Sequence, residues 1–246
     1  MKNIVIAAGY ATRLYPLTEN FPKPLLKIGN STILDRLLAD IDKIDDISEH
    51  IVVTNHKFAP HFEKWASGLK TEKPVRIIDD GTETNETRLG AVGDLLLAIQ
   101  QQNIDDDILV IAADNILDFS FRGFIDDFKK KKTSMIMCHH EPSLKALQRT
   151  GVIEVDDGMK VLQMQEKPEK PVSNRAVPPF YIYAKQDLPL IKHCLQNGCK
   201  ADAPGNLAHY LCAATTLHAW EMAGKRYDIG SLDSYYEAQE MFGRTK

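Results

Sequence analysis

The sequence predicts an α/β fold with a mainly parallel sheet lying between two layers of helix, and three observations predict it. Short apolar, β-branched runs at Lys2–Ala7, Ile51–Thr54, Val75–Ile78 and Ile108–Ala113 read as buried strands. Between them, Thr32–Ile44, Phe58–Leu69 and Leu89–Gln101 carry apolar residues at helical spacing, as Leu89, Val92, Leu96 and Ile99 show. This β-α-β alternation over the first half implies parallel strands covered on both faces. Finally, the 246-residue chain is 43% hydrophobic and 26% charged, ordinary globular usage that excludes disorder, collagen and coiled coil.

The first strand opens the chain directly. Its apolar run, Ile4 to Ala8, is shorter than the ~7–15 residues of a signal-peptide core. No stretch approaches the ~20 apolar residues of a membrane span. After the central strand, Phe121–Lys131 reads as a helix, and the lysine run Lys129–Lys132 suits the solvated negative end of its dipole. The second half is richer in strands: Thr133–Cys138, Gly151–Val155 and Lys160–Gln165, with Asp156-Asp157-Gly158 as a hairpin turn. Val177–Ala184 continues as a strand, Gln186–Asn197 and Asn206–Cys212 as helices, Thr215–Glu221 as a last strand and Ser231–Phe242 as a closing helix. No repeat or linker interrupts the chain. Cys138, Cys194, Cys199 and Cys212 show no Cys-x-x-Cys spacing, and a chain this long needs no disulfide framework, so a cytoplasmic protein with reduced thiols is expected. The net charge of −4 argues against nucleic acid as a partner.

The most informative segment is Ala7-Ala8-Gly9-Tyr10-Ala11-Thr12-Arg13-Leu14-Tyr15-Pro16-Leu17-Thr18, followed by Phe21-Pro22-Lys23-Pro24-Leu25-Leu26. Small residues just after a strand leave backbone N–H groups open to a phosphate. Arg13 adds a planar fork of donors and Lys23 a point charge. Neither the Walker pattern nor Gly-x-Gly-x-x-Gly is present. Asp114 closes the run Ile108–Ala113, at the carboxyl end of a strand, where open α/β sheets bind ligands. Asp105-Asp106-Asp107 precedes that strand and reads as a solvated loop, and the histidines lack ligand spacing.

This loop resembles the signature G-x-G-T-R-x-x-P-x-T…K-P of the sugar-1-phosphate nucleotidyltransferases, the nucleoside-diphosphate-sugar pyrophosphorylases. Four further motifs follow in that family's order: Leu89-Gly90-Ala91-Val92-Gly93, Ala113-Asp114-Asn115, Glu166-Lys167-Pro168 and Tyr227-Asp228-Ile229-Gly230. The resemblance implies a Rossmann-like three-layer α/β/α fold with a mainly parallel, mixed central sheet and a β-rich acceptor-binding extension. It also implies a single nucleotidyltransferase catalytic domain over residues 1–246, since only residues 231–246 follow the last motif. Two departures stand out. Ala11 replaces a glycine and is expected to require a negative φ, and Val177-Pro178-Pro179-Phe180-Tyr181 replaces the stretch that in relatives touches sugar hydroxyls.

The implied reaction joins a nucleoside triphosphate to a phosphorylated acceptor and releases pyrophosphate. The acceptor phosphate, whose second pKa is near 6, is already a nucleophile, so the site needs positioning and charge neutralisation rather than a base. By resemblance Arg13 and Lys23 are the catalytic cations, Asp114 and Asp228 hold Mg²⁺, and Ala8, Gly9, Asn85 and Gly90 contact the nucleotide. Glu166 would hold sugar or ribose hydroxyls and Lys167 the acceptor phosphate. Alternatives are a cytidylyltransferase-type enzyme with a non-sugar acceptor such as phosphocholine, a nucleotide-sugar-dependent glycosyltransferase, and a silent nucleotide-binding subunit. Partners are thus a nucleoside triphosphate and a small phosphorylated acceptor, with no nucleic acid and no membrane; a homo-oligomer is left open.

Overall fold

The computed structural model describes residues 1–243. The first part of the chain runs β1 (Lys2–Ile6), β2 (Lys27–Ile28), β3 (Ser31–Thr32), α1 (Ile33–Ile41), β4 (Glu49–Thr54), α2 (Ala59–Gly68) and β5 (Val75–Asp79). Next come α3 (Ala91–Gln101), β6 (Ile108–Ala112), β7 (Asn115–Leu117), α4 (Arg122–Lys131), β8 (Ser134–His140), α5 (Leu144–Leu147), β9 (Gly151–Val155) and β10 (Val161–Glu166). The remainder is β11 (Arg175–Val177), β12 (Phe180–Tyr183), α6 (Leu188–Gln196), α7 (Pro204–Ala214), β13 (Leu217–Glu221), β14 (Arg226–Asp228) and α8 (Leu232–Phe242). The chain divides into two compact units. One contains residues 2–88, 112–121 and 224–243; the other contains Met1, 89–111 and 122–223.

In the first unit β1, β4 and β5 pair in parallel, each joined to the next by a helix-containing crossover. Helix α1 begins where the sequence supplies a capping box: Thr32 Oγ1 accepts from the Asp35 N–H and the Asp35 carboxylate accepts from the Thr32 N–H, both at 2.9 Å. Its buried face is Ile33, Leu34, Leu37, Leu38 and Ile41, the 3.6-residue stripe that the sequence carries. A cluster of Leu14, Leu26, Ile28, Ile33, Ile116, Ile229 and Ala238 ties the loop after β1 to β7, β14 and α8. Strands β7 and β14 form a two-stranded antiparallel ribbon, with Asn115 opposite Asp228.

The second unit has a mixed sheet in the order β10-β9-β11-β8-β12-β6, antiparallel throughout except for β13, which adds in parallel to β8. The expected strand Val177–Ala184 is two strands, β11 and β12. Pro178 and Pro179 have no N–H to give a ladder, and the chain passes there from one side of β8, beside β9, to the other, beside β6. The acidic triplet is a structural loop: Asp106 pairs with the N-terminal amine at 2.9 Å, Asp105 with Lys185 at 2.7 Å, and Asp107 accepts from the Lys185 N–H at 2.8 Å. Among the described residues all four cysteines are free, and no helix is long and apolar enough to cross a membrane.

Candidate active site

In the first unit the loop after β1 leaves its sheet with Ala7 N–H still bonded to the Val53 carbonyl at 2.9 Å. Buried Asn55 then fixes the turn: its Nδ2 donates to the Ala8 carbonyl at 2.9 Å and its Oδ1 accepts from the Phe58 N–H at 3.0 Å. The backbone N–H groups of Ala8, Gly9, Tyr10 and Ala11 donate to no described residue. Successive free amides in a tight loop are an anion-binding arrangement. Gly9 is exposed, and a Cβ built on it would meet no atom within 4 Å.

Ala11 corrects an expectation. Its φ is 47° and ψ 42°, left-handed rather than negative. The conformation lets its carbonyl accept from the Leu14 N–H at 3.0 Å and from Thr18 Oγ1 at 2.8 Å, opening the 3₁₀ turn Thr12–Leu14 that carries Arg13. For a residue with a Cβ this costs about 1–2 kcal/mol, offset by those two bonds. Tyr10 is buried against Phe58 and donates to the Thr82 carbonyl at 3.1 Å.

Facing this loop are the acidic residues. Asp114 directly precedes β7 and Asp228 ends β14, and the Ile229 N–H donates to the Asp114 carbonyl at 2.9 Å. Three-residue strands thereby bring together two carboxylates 114 positions apart in the chain. Lys23, nearly buried, places its ammonium 2.9 Å from Asp114 Oδ2. On the other side Asn115 Nδ2 donates to Asp114 Oδ1 at 2.5 Å, while Arg226 reaches Asn115 Oδ1 at 2.7 Å and Asp228 Oδ1 at 3.6 Å. Desolvation raises the Asp228 carboxyl above its ordinary pKa, and the charge of Asp114 adds to that, with Arg226, Lys23 and Arg13 opposing. About half of the Asp228 side chain still meets solvent, which moderates the burial effect. Arg13 is exposed and forms no ion pair or hydrogen bond with a described residue. Thus the structure assembles Ala8, Gly9, Arg13, Lys23, Asp114 and Asp228 within one unit.

Of the remaining predicted residues, Asn85 in the same unit is tied down, its side-chain oxygen accepting from Arg88 Nη1 at 2.8 Å. The other three lie in the second unit. Gly90 caps α3 with φ 81°, and a Cβ there would stand 2.5 Å from the Ala201 carbonyl oxygen, so crossing backbone is what demands glycine. Glu166 ends β10 opposite Gly151 of β9. Its carboxyl is raised above the ordinary range by burial, with Lys167 opposing and Asp202 reinforcing. Lys167 sits at φ 48° and pairs with Glu166 Oε1 at 3.8 Å. A carboxylate with 17% exposure and one long ion pair keeps acceptor capacity for a ligand's hydroxyls.

Sequence reading missed Asn55, Arg226, Gly151 and Gly205. Asn55 had one signal, an amide directly after the strand run Ile51–Thr54; Arg226 and the two glycines had none.

Comparison with known proteins settles the family. A family model described as Nucleotidyl transferase matches residues 2–244. The chain belongs to the nucleotidyl transferase family. Among its relatives, the bifunctional protein GlmU of Methanocaldococcus jannaschii is 29% identical over 193 residues, covering 78% of this chain and 42% of that protein. The chain therefore spans about two fifths of the length of the GlmU proteins it matches. The UTP–glucose-1-phosphate uridylyltransferase AglF of Haloferax volcanii is 25% identical over 254 residues, covering 98% of this chain and 96% of that one. A solved UDP-glucose pyrophosphorylase complexed with UDP-glucose superposes with a TM-score of 0.83 at 20% identity, covering 100% of this chain and 99% of that one. A putative glucose-1-phosphate thymidylyltransferase from Bacillus anthracis gives 0.79 at 22%, covering 100% and 96%. The fold is the mixed, mainly parallel, helix-flanked sheet of these structures.

Proposed function

We propose that this nucleotidyl transferase joins a nucleoside triphosphate to a sugar-1-phosphate, releasing pyrophosphate and forming a nucleoside-diphosphate sugar. The observation that carries the reading is the first unit's site, where free loop amides, Arg13 and Lys23 meet two adjacent carboxylates. An acceptor phosphate oxygen forms the new bond to the α-phosphorus while the bond to the β-phosphate oxygen breaks and the electron pair leaves on pyrophosphate. The loop amides, Arg13 and Lys23 neutralise charge on the triphosphate. Ala8 and Gly9 supply backbone contacts, and Asn85 and Gly90 belong to the nucleotide side of this reading.

Asp114 and Asp228 fit Mg²⁺. Both offer hard oxygen donors, the charge of Asp114 helps raise the Asp228 carboxyl, and both remain partly open to solvent. No group of three or more His, Cys, Asp or Glu suited to a metal occurs among the described residues, but Mg²⁺ is held by one or two carboxylates plus substrate phosphates. When bound, the ion would withdraw charge from phosphate oxygens.

Glu166 would accept from the acceptor's hydroxyls and Lys167 would meet its phosphate. A carboxylate with spare acceptor capacity suits a hydroxylated acceptor; Tyr181 and Tyr183 are stacked on one another and buried. The names of relatives make glucose-1-phosphate with UTP or dTTP the first pairing to try. Both units are taken as parts of one catalytic domain, and the free thiols suit a cytoplasmic location. The test is pyrophosphate release with Mg²⁺, each nucleoside triphosphate and a panel of sugar phosphates and phosphocholine. Release from a sugar phosphate supports the reading; nucleotide-sugar hydrolysis or transfer without pyrophosphate from any pairing overturns it.

A further inference from the structure

Glycine weakens a helix unless a neighbour requires it. Yet α7 carries Gly205 at its second position, directly after Pro204. Its φ lies outside the left-handed region, so the backbone there is open to any residue. What glycine supplies is space. A Cβ built on Gly205 would stand 1.9 Å from Oε2 of Glu166 and 2.8 Å from its carboxyl carbon, and the next neighbour, Met164 Cε, is 3.4 Å away. Gly151 also borders the carboxylate: a Cβ there would meet Met164 Cε at 2.6 Å and Val177 Cβ at 3.2 Å, then the same oxygen at 3.3 Å.

We infer that Gly205 is a positioning residue for Glu166, the bare first turn of α7 being a shelf on which the carboxylate rests in the acceptor site. The inference rests on the function proposed above, in which that carboxylate receives the acceptor's hydroxyls. Polar partners do not explain where the carboxylate lies, because its one ion pair among the described residues is the 3.8 Å contact with Lys167. Shape explains it. A methyl at position 205 meets the far end of a flexible side chain and no backbone, so it turns the carboxylate towards solvent and leaves the helix in place.

The experiment compares the parent with Gly205→Ala. Steady-state kinetics would use glucose-1-phosphate as the varied acceptor with UTP or dTTP, and carbon-13 NMR would follow titration of the Glu166 carboxyl. The acceptor KM should rise about tenfold or more with the nucleotide KM within about twofold, as expected when a hydrogen-bonding group leaves its substrate. The Glu166 titration should move down towards an ordinary carboxyl as the group regains water. Adding Gly205→Ala to Glu166→Asp, whose carboxylate is one methylene short of the shelf, should change the acceptor KM by less than about twofold. A parent-like acceptor KM with an unmoved titration, or additive effects in the double variant, overturns the inference. If the parent turns over no sugar phosphate, the proposed function fails while the titration still decides the shelf. Should Gly205→Ala not fold, folding of Glu166→Ala/Gly205→Ala supports the collision, and failure of that variant to fold overturns it.

Discussion

The two units hold their candidate carboxylates, Asp114 in one and Glu166 in the other, by different means. Asp114 is fixed by partners: Lys23 on one oxygen, Asn115 on the other, and the β7–β14 ribbon beneath. Glu166 is fixed by vacancy, between two glycines and beside one distant lysine. A carboxylate held by partners keeps its charge and place when one neighbour changes shape slightly. One held by space can be expelled by a single methyl. The first kind leaves motifs of charged residues in a sequence, and the second leaves only glycines.

The comparison is broken most forcefully at Asp114. Asp114→Asn should lower turnover by about 10²–10³-fold, the usual loss when one group stabilising developing charge is removed. Thermal unfolding should stay near that of the parent, because the amide keeps its shape. Turnover within tenfold of the parent would remove Asp114 from the reacting centre.

Asn55→Ala attacks the phosphate loop from beneath. It strips the buried Ala8 carbonyl of its partner and leaves the Phe58 N–H only its 3.2 Å bond to the main-chain carbonyl of residue 55, and should cost about 1–3 kcal/mol in denaturant unfolding, the cost of one group left unpaired. A loss below about 1 kcal/mol would show that the loop is held some other way.

Two alanine substitutions sharpen the contrast between vacancy filled by backbone and vacancy open to ligand. Gly90→Ala would meet the Ala201 carbonyl at φ 81° and should destabilise by about 1–3 kcal/mol. Gly9→Ala meets nothing, so stability should hold within about 0.5 kcal/mol while the KM for the nucleoside triphosphate rises. Equal unfolding midpoints for the two variants would remove the distinction.

The smallest effect is a pH dependence. His50 is buried, and desolvation lowers its pKa despite the carboxylate of Asp42 at 2.8 Å. Below its unfolded value near 6.5 the unfolded chain takes up the proton more readily than the native one. The His50 contribution is therefore complete above that pH and declines on acidification, by at most about 1.4 kcal/mol per pH unit. Exposed His56, raised by Asp79, acts in the opposite sense over the same range. The measurement is accordingly the difference in unfolding free energy between pH 7.5 and 5.5 for the parent and His50→Gln; identical slopes would rule His50 out.

Much of the fold was legible because burial leaves a periodic mark. The apolar stripe within Thr32–Ile44 announced α1, and Ile108–Ala113 announced β6 and the position of Asp114. The ribbon joining Asn115 to Asp228 was not legible, because strands of three residues carry no usable period. The proline pair was seen but not its effect of splitting one strand into two on opposite sides of β8. Ala11 was read as needing negative φ, a steric rule that two hydrogen bonds to its carbonyl overrule here.

By itself the sequence determined the alternation of elements, the charged residues of the loop and the order of the motifs, since these depend on local pattern and on chemical type. Only the tertiary structure decided which charges neutralise one another, as with Lys23 on Asp114, and which glycines exist to leave room, as with Gly205 beneath Glu166. Distance and empty space belong to pairs of residues remote in the chain, and no single position in a sequence records them.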